Sequence, residues 1–158
     1  LPDFRRAGGY PVFAEGWALY AETLSGQLGL YTYPHSRFGH LQWQAFRAAR
    51  LVVDTGLHAL GWTREQAIEF MIERTGVDRE TVATEVGRYY SQPGQALAYK
   101  IGQLRILALR ERARTALGPA FDLRDFNDAV LATGSVPLEA LEQHIDAWIA
   151  ARKAASAG

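Results

Sequence analysis

Residues 60–79 read LGWTREQAIEFMIERTGVDR, and this stretch stops and starts a helix twice. Gly61 ends one helical pattern. Thr63 and Gln66 stand three apart, the spacing in which an N-cap hydroxyl and a glutamine side chain satisfy each other's end of the backbone. Gly76 closes that short helix after Thr75, and Asp78 caps the next one, over about 79–91. Helices separated by connections of a few residues pack as antiparallel neighbours.

The same grammar extends outward. A first helix is predicted over 12–29, ending at Gly29, with YTYPHS (31–36) as the connection to a longer helix over 36–60. Pro93 sits where a first-turn proline is tolerated, so 92–118 reads as one helix ending at Gly118. Asp122 caps a helix through Ala132, and Pro137 begins a last one through about Arg152. Residues 1–10 read as an irregular lead-in and 154–158 as a frayed tail. Apolar positions recur at helical spacing and strand-like alternation is absent, so the expected fold is all-α: a compact bundle of about seven helices. No repeat, linker or composition shift divides residues 1–158, which are expected to form one domain.

The chain has 158 residues with no cysteine, so disulfides, thiolate metal sites and cysteine nucleophiles are excluded and any metal must be held by His, Asp or Glu. Seventeen basic side chains balance seventeen acidic ones. That balance gives no long-range attraction to polyanions, and nucleic acid is not expected as a partner. No apolar run approaches the roughly 20 residues of a membrane span. A chain that opens at Leu1 without an initiator Met reads as a piece of a longer protein, and localisation, cytoplasmic or exported, stays open because an export signal would lie outside it.

Three clusters could carry chemistry. In VFAEGWALYAE (12–22), Glu15 and Glu22 are two helical turns apart and nearly in line. Leu19 and Gly26 share their stripe, while Phe13, Trp17, Tyr20 and Leu24 lie opposite, as the expected core face. The carboxylates are either solvated or line a groove. In RAARLVVDTGLH (47–58), Arg50, Asp54 and His58 follow at i, i+4. Asp54 could orient the imidazole while Arg50 holds Asp54, or the three form a surface ladder. In RYYSQPGQALAYKIG (88–102), Gln95 and Tyr99 share a face beside a helix start whose N–H groups could receive a carboxylate or oxyanion; aromatics at this spacing also suit a core. His35, His40 and His144 form no metal pair at helical spacing, and no H-E-x-x-H occurs.

EGWALYAE, RAARLVVDTGLHALGWTREQAI, RYYSQPGQALAYKIG and GSVPLEAL, in this order, resemble the bacterial domain-of-unknown-function family 885 over about residues 10–150. Members of that family look like thermolysin-like zinc peptidases with a glutamate third ligand. The resemblance implies that this chain is the C-terminal portion of a larger, mainly helical hydrolase, in which an H-E-x-x-H segment precedes it. It implies Glu15 as the third zinc ligand. It implies His58, Tyr99 and Arg88 as donors to developing negative charge, Gln95, Arg50 and Tyr90 as substrate contacts, and Glu22 and Asp54 as supports of those groups. The implied partners are a peptide-like substrate and the N-terminal portion of the same protein. Without two ligands and the base, this chain alone is expected to hold zinc weakly and to be inert. Asn127 in FNDAVL departs from the histidine the family pattern leads one to expect, so no ligand or acid role is carried over to it. The rival reading is a non-catalytic helical module that binds a peptide or self-associates through exposed aromatics around Trp17, Trp43 and Tyr90.

Overall fold

Thr63 Oγ1 accepts from the Gln66 N–H (3.2 Å) while Gln66 Oε1 accepts from the Thr63 N–H (2.8 Å), so both halves of the capping box form. The structure, a computed structural model, describes Asp3 and residues 8–156. Among them are seven α-helices and no strand: α1 (Pro11–Gln27), α2 (Pro34–Ala59), α3 (Arg64–Thr75), α4 (Arg79–Ser91), α5 (Ala98–Leu117), α6 (Leu123–Ala132) and α7 (Leu138–Ser156). Gly76 ends α3 in the left-handed region at φ 64°, and Asp78 and Asp122 cap α4 and α6 as their sequence positions predict.

Several boundaries differ from expectation, the first helix among them, which ends at Gln27 rather than Gly29. The second helix starts earlier, because Pro34 fits its first turn and Tyr33 takes the extended cap conformation. Pro93 does not open the fifth helix. Gly94 turns the chain at φ 82°, a 3-10 turn follows over Gln95–Leu97, and α-helix begins only at Ala98. Gln95 therefore stands outside the helix that carries Tyr99. At the far end α7 continues through Ser156; the remaining residues of the predicted tail, and residues 1, 2 and 4–7 of the lead-in, lie outside the described residues.

The backbone groups into two compact units: Leu1–Tyr20 with Ile101–Gly158, and Ala21–Lys100. In the first, α1 crosses α5 at a glycine pair. A Cβ on Gly16 would stand 2.5 Å from the Gly102 Cα, and one on Gly102 would stand 2.0 Å from the Val12 carbonyl oxygen. Only two glycines let the backbones approach this closely. The buried face of α1 is accordingly Phe13, Gly16, Leu19 and Tyr20, with Trp17 and Leu24 half-buried. This corrects the expected core face, which placed Leu19 with the carboxylates. Tyr20 donates to Asn127 Oδ1 (3.0 Å), which gives Asn127 a structural partner in place of a ligand role.

In the second unit, Phe46, Val53 and Leu57 of α2 pack with Ile68 and Met71 of α3 and Val82 and Val86 of α4. Gly56 admits the Trp62 indole against the helix, where a Cβ would meet it at 2.5 Å. Polar residues of α2 lie along another face and build the site described next.

Gly102→Ala is expected to cost at least about 2 kcal/mol through overpacking, lowering the melting temperature by roughly 4–8 °C for a chain of this size. Gly87 is exposed in α4, and a methyl group there would meet nothing within 4 Å. Gly87→Ala should raise stability by about 0.5–1 kcal/mol, so thermal unfolding of the two variants should shift in opposite directions.

Candidate functional site

Arg50 is the centre of the second unit's polar seam. Its residue exposure is only 7%, so its guanidinium must be matched by protein groups. Nη2 donates to Glu85 Oε2 (2.6 Å) and Nε to the Tyr89 hydroxyl (3.0 Å), both on α4. The plane also lies over the Tyr99 ring, 4.8 Å from its centroid. Arg88 reaches the same carboxylate, with Nη2 3.0 Å from Glu85 Oε2, and donates through Nη1 to Gln95 Oε1 (2.7 Å). One carboxylate thus serves two guanidiniums.

Burial pushes the Glu85 carboxyl up, but hydrogen bonds and charge from Arg88 and Arg50 outweigh it and hold the group below the usual carboxylate range. Burial pushes the Tyr89 phenol up to about 12, so it remains a neutral hydroxyl that accepts from Arg50.

The predicted Arg50–Asp54–His58 ladder does not form. Asp54 accepts from the Gly94 N–H at 3.1 and 3.2 Å, pinning the turn between α4 and α5, and Arg50 turns to α4 instead. Those N–H groups are consequently not open to an oxyanion: Gly94 gives its hydrogen to Asp54 and Gln95 bonds the Gln92 carbonyl. His58 Nε2 lies 3.1 Å from the Tyr89 carbonyl oxygen. A carbonyl only accepts, so Nε2 carries the hydrogen and Nδ1 is the ring's basic edge. Tyr90 meets His58 edge-on, 6.2 Å between centroids.

Further along α2, Arg47 pairs with Glu22 and Gln44 Nε2 approaches the same carboxylate (3.4 Å). Lys100 Nζ donates to Gln44 Oε1 (3.1 Å). His40 stacks on Tyr31 at 4.7 Å, with its buried Nδ1 3.9 Å from Glu22, too far for a hydrogen bond. A hollow of about 480 Å³ lined by Thr23, Tyr31, Arg37 and His40 adjoins this end. The structure therefore brings together, within the second unit, Arg50, Arg88, Gln95, Tyr99, Asp54, His58, Tyr90 and Glu22.

Glu15 belongs to the first unit. Its side chain is half-buried, beside the Gly16–Gly102 crossing, and has no hydrogen bond or ion pair among the described residues. No group of three His, Asp or Glu that could hold a metal occurs among the described residues either. This unit also contains a cavity of about 700 Å³ lined by Tyr10, Ser135, Pro137 and His144, where Ser135 Oγ is committed to the Tyr10 N–H (2.6 Å).

The sequence matches, over residues 1–145, the family described as "Bacterial protein of unknown function (DUF885)". The chain belongs to that family. Two solved structures are similar. One, described as a "putative lipoprotein" from Colwellia psychrerythraea, is 50% identical with a TM-score of 0.92 over 94% of this chain and 26% of that one. The other, described as a "putative lipoprotein of unknown function" from Shewanella oneidensis, is 27% identical with a TM-score of 0.80 over 85% of this chain and 25% of that one. This DUF885 chain thus spans about a quarter of the length of either protein. No curated protein matches it. No helix among the described residues is long and apolar enough to cross a membrane.

Sequence reasoning missed Glu85 and Tyr89. The only local signal was Glu85 standing three and four residues before Arg88 and Tyr89 on one helix face. In this DUF885 domain, Glu85→Gln should destabilise the fold by about 3 kcal/mol, because Arg50 loses its anion. A carboxyl held below its unfolded value stabilises above that value and ceases to do so as pH falls through the folded one. Unfolding curves of wild type and Glu85→Gln should therefore differ at pH 7 and draw together only as pH falls below the ordinary glutamate range.

Proposed function

We propose that this chain is part of a zinc-dependent peptidase or related amide hydrolase, to which its first unit supplies one carboxylate ligand, Glu15, and its second unit supplies polar groups along α2 that contact substrate. Glu15 carries the reading. Among the described residues this half-buried carboxylate makes no hydrogen bond or ion pair, and it stands beside a glycine crossing that fixes the position of its helix. The described residues fit zinc as a source of one donor and not as a complete centre. Two histidines and the general base would come from an H-E-x-x-H segment that this sequence lacks.

Bound zinc supplies, in such enzymes, a water acidic enough to attack a carbonyl near neutral pH. The bonds of this chain's own side chains support the roles proposed for them. His58 presents Nδ1 as a proton acceptor, held by its Nε2–H bond to α4. Arg88 and Tyr99 offer donors to developing negative charge, with Arg50 and Gln95 holding them in place. Tyr90, exposed beside His58, offers an aromatic face to substrate. That both structural neighbours are described as lipoproteins supports an exported protein.

A second reading has its own observation. Leu28, Leu30, Tyr33, Phe38 and Leu41 are all more than half exposed within one short stretch, which suits a helical module that binds a peptide or protein.

The test uses the protein that contains this chain together with the implied H-E-x-x-H segment. Glu15→Gln is expected to lower zinc content at least about tenfold by elemental analysis, and peptide hydrolysis with it, at unchanged helicity. Unchanged zinc in the variant would overturn the ligand assignment. Wild-type protein that takes up no zinc from zinc-replete medium would put the binding module first.

A further inference from the structure

α2 buries one face and leaves another uncovered. Phe46, Val53 and Leu57 belong to the core of the second unit, and Arg50 and Asp54 to its polar seam. On the far side of the helix Phe38, Leu41, Ala45, Ala48, Val52 and Thr55 follow at alternating steps of three and four residues. Side chains at that spacing form the seam between two helices packed side by side. Phe38 is 66% exposed, Leu41 57% and Val52 43%; Thr55 is exposed and the two alanines are half-buried. None of the six is charged, nor are Gln44 and Leu51 on one flank and Ala49 on the other. Exposed apolar faces of this kind mark interaction sites.

The chemistry of the stripe bears on what covers it. It has no charge with which to steer or select a partner arriving from solution, and it resembles the apolar faces of permanent interfaces. It is also narrow. A strip about 26 Å long and one helix diameter wide, about 10 Å, offers roughly 300 Å², where a stable dimer needs about 800 Å² from each partner. A segment tethered in the same polypeptide manages with less, because its effective concentration is on the order of millimolar. About three quarters of each similar solved chain lies outside the part that matches these residues, ample length for such a segment. We propose that stripe 38–55 of α2 is the docking seam for an amphipathic helix from another part of the same, longer polypeptide, lying alongside α2 at a shallow angle. Ala45 and Ala48, at the centre, leave room for larger apolar side chains of that helix, while Phe38 and Leu41 fill the spaces at one end. The inference rests on the reading that this chain is part of a longer protein, and on neither zinc nor hydrolysis. It ties the helix that carries Arg50 and His58 to the rest of that protein.

These 158 residues contain no cysteine, so introduced thiols can report on the seam. Leu41→Cys and Val52→Cys are made one at a time in the full-length protein, and labelling by a maleimide is followed at the introduced residue by mass spectrometry. Each thiol is expected to react at least about tenfold more slowly than in the same protein unfolded in urea, at every protein concentration. A photoactivatable residue at position 52 should cross-link, within one polypeptide, to a segment outside residues 1–158. Thiols that react at the unfolded rate overturn the proposal, and so does a gene product no longer than these residues. Protection lost on dilution, or cross-links between copies, would assign the seam to a second copy and overturn it as well, as would cross-links confined to residues 1–158. Protected thiols and an outside cross-link in a protein that takes up no zinc would uphold the seam while removing the peptidase reading; reactive thiols in a zinc-bound protein would do the reverse.

Discussion

Arg50 depends on having an answer for every face of its guanidinium, and the second unit is arranged to give it. A buried cation is tolerated only where hydrogen bonds and an opposite charge replace its water. Glu85 supplies the charge, the Tyr89 hydroxyl a neutral acceptor, and the rings of Phe46, Tyr89 and Tyr99 the faces. These partners come from α2, α4 and the start of α5, so one side chain ties three helices. Burial raises the Tyr89 phenol against the pull of Arg50, while at Glu85 burial is outweighed by Arg88 and Arg50, so the arginine meets one neutral hydroxyl and one carboxylate.

Around that ion pair the turn after α4 is held by two unrelated bonds. Asp54 takes the Gly94 N–H, and His58 bonds the carbonyl of Tyr89. Both come from α2, one turn apart, so a single helix face determines where the α4–α5 connection runs. The consequence for chemistry is that Gln95, Arg88, Tyr99 and His58 are positioned by side chains rather than by loop length. Preorganisation of this kind suits the substrate-contacting role proposed for these groups, since donors that need no rearrangement stabilise charge most effectively.

The first unit rests on a different constraint. At Gly16 and Gly102 the distance between α1 and α5 is set by backbone contact, with no side chain to adjust it. Glu15, adjacent to that contact, inherits its rigidity. This is why EGWA is informative beyond its carboxylate: the glycine holds the helix close, and the glutamate is half-buried with no hydrogen bond or ion pair among the described residues.

Much of this was legible in the sequence alone. Capping by Thr63, Asp78 and Asp122 and the stops at Gly61 and Gly76 are local events, decided by backbone ends and side chains a few residues apart, and they gave the all-α class and most helix boundaries. The glutamates of α1 and the polar stripe of α2 were likewise visible as candidates. Their partners were not. Arg50 pairs with Glu85 and Tyr89 thirty-five and thirty-nine residues away, and Asp54 meets Gly94 forty residues away, while helical spacing pointed to Arg50–Asp54–His58. Helical spacing reports which side chains share a face. It does not report what the facing helix offers, and a buried arginine takes the strongest acceptor that packing brings within reach. The face that α1 buries was decided in the same way, by the close approach that two glycines far apart in sequence allow.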